Sequence, residues 1–118
     1  STSSYIDSTC KLGVGIQIMP NSTIHCSTKI GDFSIINTSS SIDHECKIGK
    51  GVHIMPGASI AGRVKIGDFA TIGTNATVLP DINIDAGAYV GAGAVVTKNV
   101  KKNQIVVGNP ARFIRKKL

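Results

Sequence analysis

At 118 residues, 42% hydrophobic, only 4% aromatic and without tryptophan, the chain suits one domain whose core lacks bulky rings. No apolar stretch approaches the roughly 18 residues that span a bilayer, and no secretory leader pattern is present, so a cytoplasmic protein is expected. The formal net charge of +6 gathers at one end: seven basic and no acidic residues follow from Lys98 onward, against six basic and seven acidic before it.

From Ile6 the chain repeats in sixes. Every sixth residue through Val96 is Ile, Leu or Val, sixteen positions without a break. A second series, four residues after each of these, is small or aliphatic throughout and runs from Cys10 to Val100. Neither the helical period of 3.6 nor the strand period of two explains a period of six. One short strand plus one turn does, and three such units close a triangular coil of eighteen residues. The aliphatic residue points inward and the small one fits the corner. Gly13, Gly31, Gly49, Gly67, Gly73 and Gly91 directly follow inward aliphatics, where little room is expected. Residues eighteen apart then stack about 4.8 Å apart, as neighbouring strands do. The predicted fold is all-β: a parallel β-helix of about five triangular coils over residues 1–100, with a short extension over 101–118. Position 102 is Lys, so the aliphatic series is expected to end after Val96. Ile105 to Val107 then reads as a strand, Gly108-Asn109-Pro110 as a sharp bend, and Phe113 to Leu118 as a short basic helix or strand.

The repeat leaves no room for an inserted loop, so chemistry must come from outward residues and a neighbouring subunit. Asp43-His44-Glu45 places two carboxylates around a histidine, and His53 follows nine residues later. A neutral imidazole accepts a proton near pH 7, and an adjacent carboxylate can fix its tautomer. His25 and Asp43 are eighteen apart and should stack as a surface pair; Cys26 and His44 share that spacing. Three cysteines without a C-x-x-C point to reduced thiols rather than a metal ribbon, with Cys10 and Cys46 buried in the corner series. The basic end attracts an anion. Nucleic acid is not expected, because only Phe113 accompanies those charges.

The unbroken hexads, Asn37-Thr-Ser-Ser-Ser-Ile-Asp-His-Glu-Cys46, Val52-His-Ile-Met-Pro-Gly57 and Val107-Gly-Asn-Pro-Ala-Arg112 together resemble the sialic acid O-acetyltransferase (NeuD-type) and UDP-4-amino-sugar N-acetyltransferase (PglD-type) family. The resemblance covers essentially the whole chain. It implies a left-handed β-helix and a homotrimer with active sites between subunits. It implies acetyl-CoA as co-substrate without a metal, and a sugar or nucleotide-sugar acceptor. His44 falls on the catalytic base, Glu45 on the residue credited with raising its basicity, and His53 beside the thioester. Further CoA contacts fall on Gly73, Thr74, Gly91 and Ala92, and on Asn109, Pro110 and Arg112 at the bend. Lys116 and Lys117, at a frayed end, should matter less. The family's N-terminal nucleotide-sugar-binding domain is not found here, so the chain is expected to be the catalytic part of a longer protein.

Two other readings use the same scaffold, since fold does not dictate function. A γ-class carbonic anhydrase-like zinc site needs three converging histidines, usually with two of them five residues apart; here the spacings are 19 and 9. A non-catalytic trimeric scaffold needs no site at all.

Overall fold

The computed structural model describes residues 3–118, and every regular element in it is a β-strand. The first coil contributes β1 (Tyr5–Ile6), β2 (Lys11–Leu12) and β3 (Gln17–Ile18). The second holds β4 (Thr23–Ile24), β5 (Lys29–Ile30) and β6 (Ile35–Ile36), and the third β7 (Ser41–Ile42), β8 (Lys47–Ile48) and β9 (His53–Ile54). The fourth holds β10 (Ser59–Ile60), β11 (Lys65–Ile66) and β12 (Thr71–Ile72), and the fifth β13 (Thr77–Val78), β14 (Asn83–Ile84) and β15 (Tyr89–Val90). A sixth coil starts with β16 (Val95–Val96) and closes with β17 (Gln104–Val107), and β18 (Arg112–Lys116) folds back antiparallel on β17.

These strands form three faces. The first is β1-β4-β7-β10-β13-β16, the second β2-β5-β8-β11-β14, and the third β3-β6-β9-β12-β15-β17-β18. All pairings but the last are parallel, and through β16 each joins residues eighteen apart, as Ile24 to Ile42 and Ile42 to Ile60. The result is a parallel β-solenoid of about six turns measuring 38 × 22 × 21 Å, consistent with the expected left-handed β-helix.

The inward series makes the core. Ile24, Ile36, Ile42, Ile54 and Ile72 are fully buried, each a gain of about 1.5–3 kcal/mol over exposure. Ile6 and Leu12, in the first coil, are covered on one side only and stay exposed. The corner series changes character along the prism. From Ser22 to Ser40 it carries hydroxyls, and each donates to a carbonyl fifteen residues ahead: Ser22 to Asn37, Thr28 to Asp43, Ser34 to Gly49 and Ser40 to Met55, at 2.8 to 3.0 Å. Those bonds remove the cost of burying a polar group. From Val52 upward the series is aliphatic and packs without such bonds. Gly73 shows why glycine follows an inward residue: a Cβ there would lie 2.6 Å from the Val90 carbonyl oxygen on the next coil.

The aliphatic series does not stop at Val96; it skips two residues and resumes. Val100 bridges Ile84 and Val106 pairs with Val90, so both steps are sixteen rather than eighteen. The Asn99 side chain covers the deficit, its Oδ1 accepting the Asn83 N–H at 2.8 Å. The C-terminal residues are also paired. Lys116 pairs with Gln104 in β18, and the Lys117 N–H donates to the Asn103 carbonyl at 2.7 Å.

Outward residues form columns too. Lys11, Lys29, Lys47 and Lys65 stand in register up the second face, all exposed. Like charges directly opposite one another repel, so this face disfavours packing against a copy of itself.

Candidate active site

His44 lies in the corner joining the first face to the second, in the third coil. Turning this corner requires one residue per hexad in the left-handed region. Glu45 fills that position at φ 59°, as Ser27, Arg63 and Asp81 do in the coils below and above. The strain therefore belongs to the fold and recurs from the second coil through the fifth. At this level it folds the Glu45 carboxylate against the ring of the preceding residue.

The His44 Nδ1 and Glu45 Oε1 are 3.0 Å apart. An ionised carboxylate only accepts, so Nδ1 carries the hydrogen and Nε2 is left as the basic nitrogen. His44 has a 37% exposed side chain, enough for a substrate to reach it. Asp43 plays a different part: its Oδ1 accepts the His44 backbone N–H at 2.7 Å, which holds the corner rather than the imidazole. Directly above, Arg63 donates to both oxygens of Asp81, at 2.7 and 3.2 Å. That guanidinium holds the Asp81 carboxyl below its usual range and Asp81 raises Arg63, but both are exposed and the pair is screened. A shallow cleft of about 520 Å³ runs along this corner between Glu45, Arg63, Lys47 and Lys65. A larger one, about 580 Å³, lies farther across the second face between Lys47, Lys65 and Lys102, and His44 lines neither cleft.

His53 is elsewhere. It starts β9 on the third face, between Ile35 and Thr71. Asn37 Oδ1 accepts the Thr38 N–H at 2.7 Å, which turns its amide nitrogen to within 3.3 Å of His53 Nε2. A donor facing that nitrogen makes Nε2 the acceptor and puts the ring hydrogen on Nδ1. Gly73-Thr74 and Gly91-Ala92 stack at the corner joining the third face to the first, with both glycines buried and Thr74 and Ala92 exposed. The bend at the chain's end closes on the same edge. Val95 donates to the Gly108 carbonyl and accepts from the Ala111 N–H, at 2.9 and 2.8 Å, and the Asn109–Pro110 bond is cis. Arg112 opens β18 there and shares a small cleft with Lys98, Asn99 and Phe113. His53 and these later residues thus line one edge, while His44 and Glu45 occupy another, with the first face between them.

The remaining candidates separate. His25 stands against the Tyr5 ring, centroids 6.1 Å apart, instead of pairing with Asp43, although both border one cleft on the first face. Cys26 is exposed, and its carbonyl accepts the Glu45 N–H at 2.9 Å. No group of three His, Cys, Asp or Glu able to hold a metal occurs among the described residues. Gly62, Asn37 and Arg63, all beside the histidines, were not singled out by the sequence, because their roles come from stacking.

Comparison with known proteins fits this geometry. The description "Bacterial transferase hexapeptide (six repeats)" matches residues 45–79 and 63–98. The chain is a hexapeptide-repeat protein, similar over these residues to bacterial transferases. Solved structures extend the likeness. A histidine-to-asparagine variant of perosamine N-acetyltransferase from Caulobacter crescentus, in complex with CoA and GDP-perosamine, is 33% identical over 97% of this chain and 54% of that one, with a TM-score of 0.95. The acetyltransferase domain of PglB from Neisseria gonorrhoeae, in complex with acetyl coenzyme A, is 30% identical over 95% of this chain and 55% of that one, with a TM-score of 0.94. WeeI from Acinetobacter baumannii is 36% identical over 92% and 56%, with a TM-score of 0.79. The hexapeptide protein thus spans about half the length of these solved relatives. No curated protein matches its sequence. Sugar-modifying acyltransferases of the NeuD and PglD type fit these matches. Among the described residues no helix is long and apolar enough to cross a membrane.

The thiols of the hexapeptide protein differ as their burial does. Cys46 is fully buried, donates to the Ala61 carbonyl at 3.1 Å, and is pushed by desolvation from 9.0 up to about 11. Cys10 is only half-buried. With a thiol reagent at pH 8, Cys26 should react at once, Cys10 more slowly, and Cys46 only on unfolding. The raised Cys46 value also means that stability falls as pH rises from about 9 through about 11, where the unfolded thiol ionises first. Rapid labelling of all three thiols in the folded protein would show that the Cys46 corner opens freely.

Proposed function

We propose that this chain moves an acetyl group from acetyl-CoA to an amine or hydroxyl of a sugar or nucleotide sugar, with His44 as general base. The observation that carries this reading is the His44–Glu45 pair at 3.0 Å on an accessible corner, which leaves Nε2 as the proton acceptor. The acceptor N–H or O–H loses its proton to Nε2 as it attacks the thioester carbonyl. The tetrahedral intermediate collapses, the C–S bond breaks, and the imidazolium returns the proton to the CoA sulfur. Glu45 keeps the ring in the tautomer that can do this. Holding both substrates in one place supplies much of the remaining rate.

Acetyl-CoA belongs, in this reading, on the edge that carries His53, Gly73, Thr74, Gly91, Ala92 and the Asn109-Pro110 bend. His53, with Nε2 engaged by Asn37, keeps an Nδ1 hydrogen to donate toward the thioester. Support comes from the CoA and acetyl coenzyme A complexes of the two similar acetyltransferases. Because His44 lies on a different edge, a second copy must bring its own CoA edge to the base. That requirement, with the lysine-lined second face unsuited to self-packing, favours a cyclic homotrimer whose sites lie between subunits. Sedimentation should give a single trimer at micromolar concentration; a stable monomer would remove the shared-site arrangement.

His44→Ala should lower kcat by roughly 10²- to 10⁴-fold, the usual size of a general-base effect, with little change in acetyl-CoA affinity. Glu45→Gln, which keeps a hydrogen-bond acceptor for Nδ1, should cost less. Near-wild-type turnover of His44→Ala at neutral pH would refute the base assignment.

Arg112 is the best-placed cation for the phosphates of CoA, because the bend fixes β18 to the prism and Arg112 borders one cleft with Lys98. Arg112→Ala should weaken CoA binding roughly five- to thirtyfold, in the range for losing a charge-assisted hydrogen bond. Dephospho-CoA should bind more weakly than CoA at low salt, and added salt should narrow the gap. Equal calorimetric affinities at low salt would place the 3′-phosphate elsewhere.

A further inference from the structure

One coil above His44, eighteen residues on, stands Gly62, buried. A Cβ built on it would lie 2.7 Å from His44 Nε2, 2.8 Å from Cε1 and 3.3 Å from Cδ2. Three ring atoms therefore rest over the space that any other side chain would take. The backbone gives no competing reason for a glycine. Gly62 is not among the residues with positive φ, so an L-residue suits its conformation. Of the fifteen residues at this hexad position from Ser8 to Ala92, it is the sole glycine. The coil cannot shift to make room either. Ala61 donates to the Val78 carbonyl, Arg63 to the His44 carbonyl, and Asp81 to the Gly62 carbonyl, at 3.0, 2.9 and 3.0 Å. With the backbone pinned on both sides of Gly62, an added methyl must be met by movement of the ring.

We infer that Gly62 is a positioning residue: its missing side chain is the floor on which the His44 imidazole lies while Nδ1 is held by Glu45. A methyl group there acts on the ring in two ways. It pushes the imidazole out of line with the Glu45 carboxylate, and it sets an apolar group against Nε2, the nitrogen left to take the proton. The consequence for turnover rests on His44 being the base; the floor itself does not.

The test is Gly62→Ala, read in three ways. In ligand-free protein, the His44 imidazole nitrogen resonances should shift, while Tm stays within about 2 °C of wild type because alanine fits the backbone. In the steady state, kcat should fall roughly tenfold to a hundredfold, the scale of a misplaced catalytic group, and KM for acetyl-CoA should stay within about twofold. In a His44→Ala background, Gly62→Ala should cost nothing further, because no ring remains to displace. Unshifted His44 resonances with wild-type kcat would overturn the inference, as would an equal loss in the two backgrounds. Should Gly62→Ala fail to fold, folding of the His44→Ala/Gly62→Ala double variant would locate the clash at the ring. Failure of the double variant would instead mean that the glycine serves the backbone. If His44→Ala proves fully active, the base assignment falls, and the resonances alone still judge the floor.

Discussion

Parallel pairing between residues eighteen apart is the constraint on which everything else depends. Alternate backbone N–H groups on a face bond to the coil above at close to 2.9 Å, as Thr23 to the Ser40 carbonyl, Ser41 to Ala58 and Thr77 to Ala94 show. The spacing of those bonds fixes the coil-to-coil distance, so each side chain meets the residue eighteen positions away. One periodicity therefore organises the isoleucine core, the hydroxyl-to-carbonyl bonds of the lower corners and the lysine column of the second face. It also stacks Glu45, Arg63 and Asp81. A defect in the count must be repaired locally, and Asn99 does this where two residues are missing from the sixth coil.

Such a scaffold has little freedom to shape a pocket, because every level has the same cross-section. Chemistry then depends on what one level does differently from its neighbours. In the third coil the left-handed corner position is occupied by a glutamate that reaches the preceding histidine, and the coil above is emptied by a glycine. Elsewhere the same corner holds serine, arginine or aspartate. The His44–Glu45 pair proposed as the base is thus a local variation on a repeated corner, rigid because the turns above and below are built alike. Its rigidity matters, since proton transfer needs the acceptor nitrogen within hydrogen-bond reach of the attacking group.

In the proposed reaction, the placement of the two edges would give a homotrimer its chemical purpose. The His44 corner and the edge running from His53 to the terminal bend are separated by the first face of a prism 22 Å across. Within one chain, a thioester lying on the second edge is out of reach of the base. In the proposed trimer, side-by-side packing of copies would join unlike edges, and the exposed lysine column of the second face would disfavour self-packing there. The basic C-terminal hairpin lies at the end of the edge proposed for CoA, where phosphate charge would sit.

The hexads determined the fold from the sequence alone, because a period of six over sixteen inward positions admits one closed geometry, and stacking identical aliphatics needs no further information. The histidine-carboxylate pair was legible for the same reason, being contiguous in the chain. What the sequence left open was which carboxylate faces the ring; the corner decided it, turning Asp43 to the backbone and Glu45 to the imidazole. Continuation of the solenoid past Val96 was also hidden, since a skip of two residues breaks the count while a side chain preserves the hydrogen bonding. Gly62 and Asn37 became visible only in three dimensions. Their importance lies in contact with a histidine sixteen or eighteen residues distant, and a lone glycine or asparagine in a repeat carries no local sign of what stacks upon it.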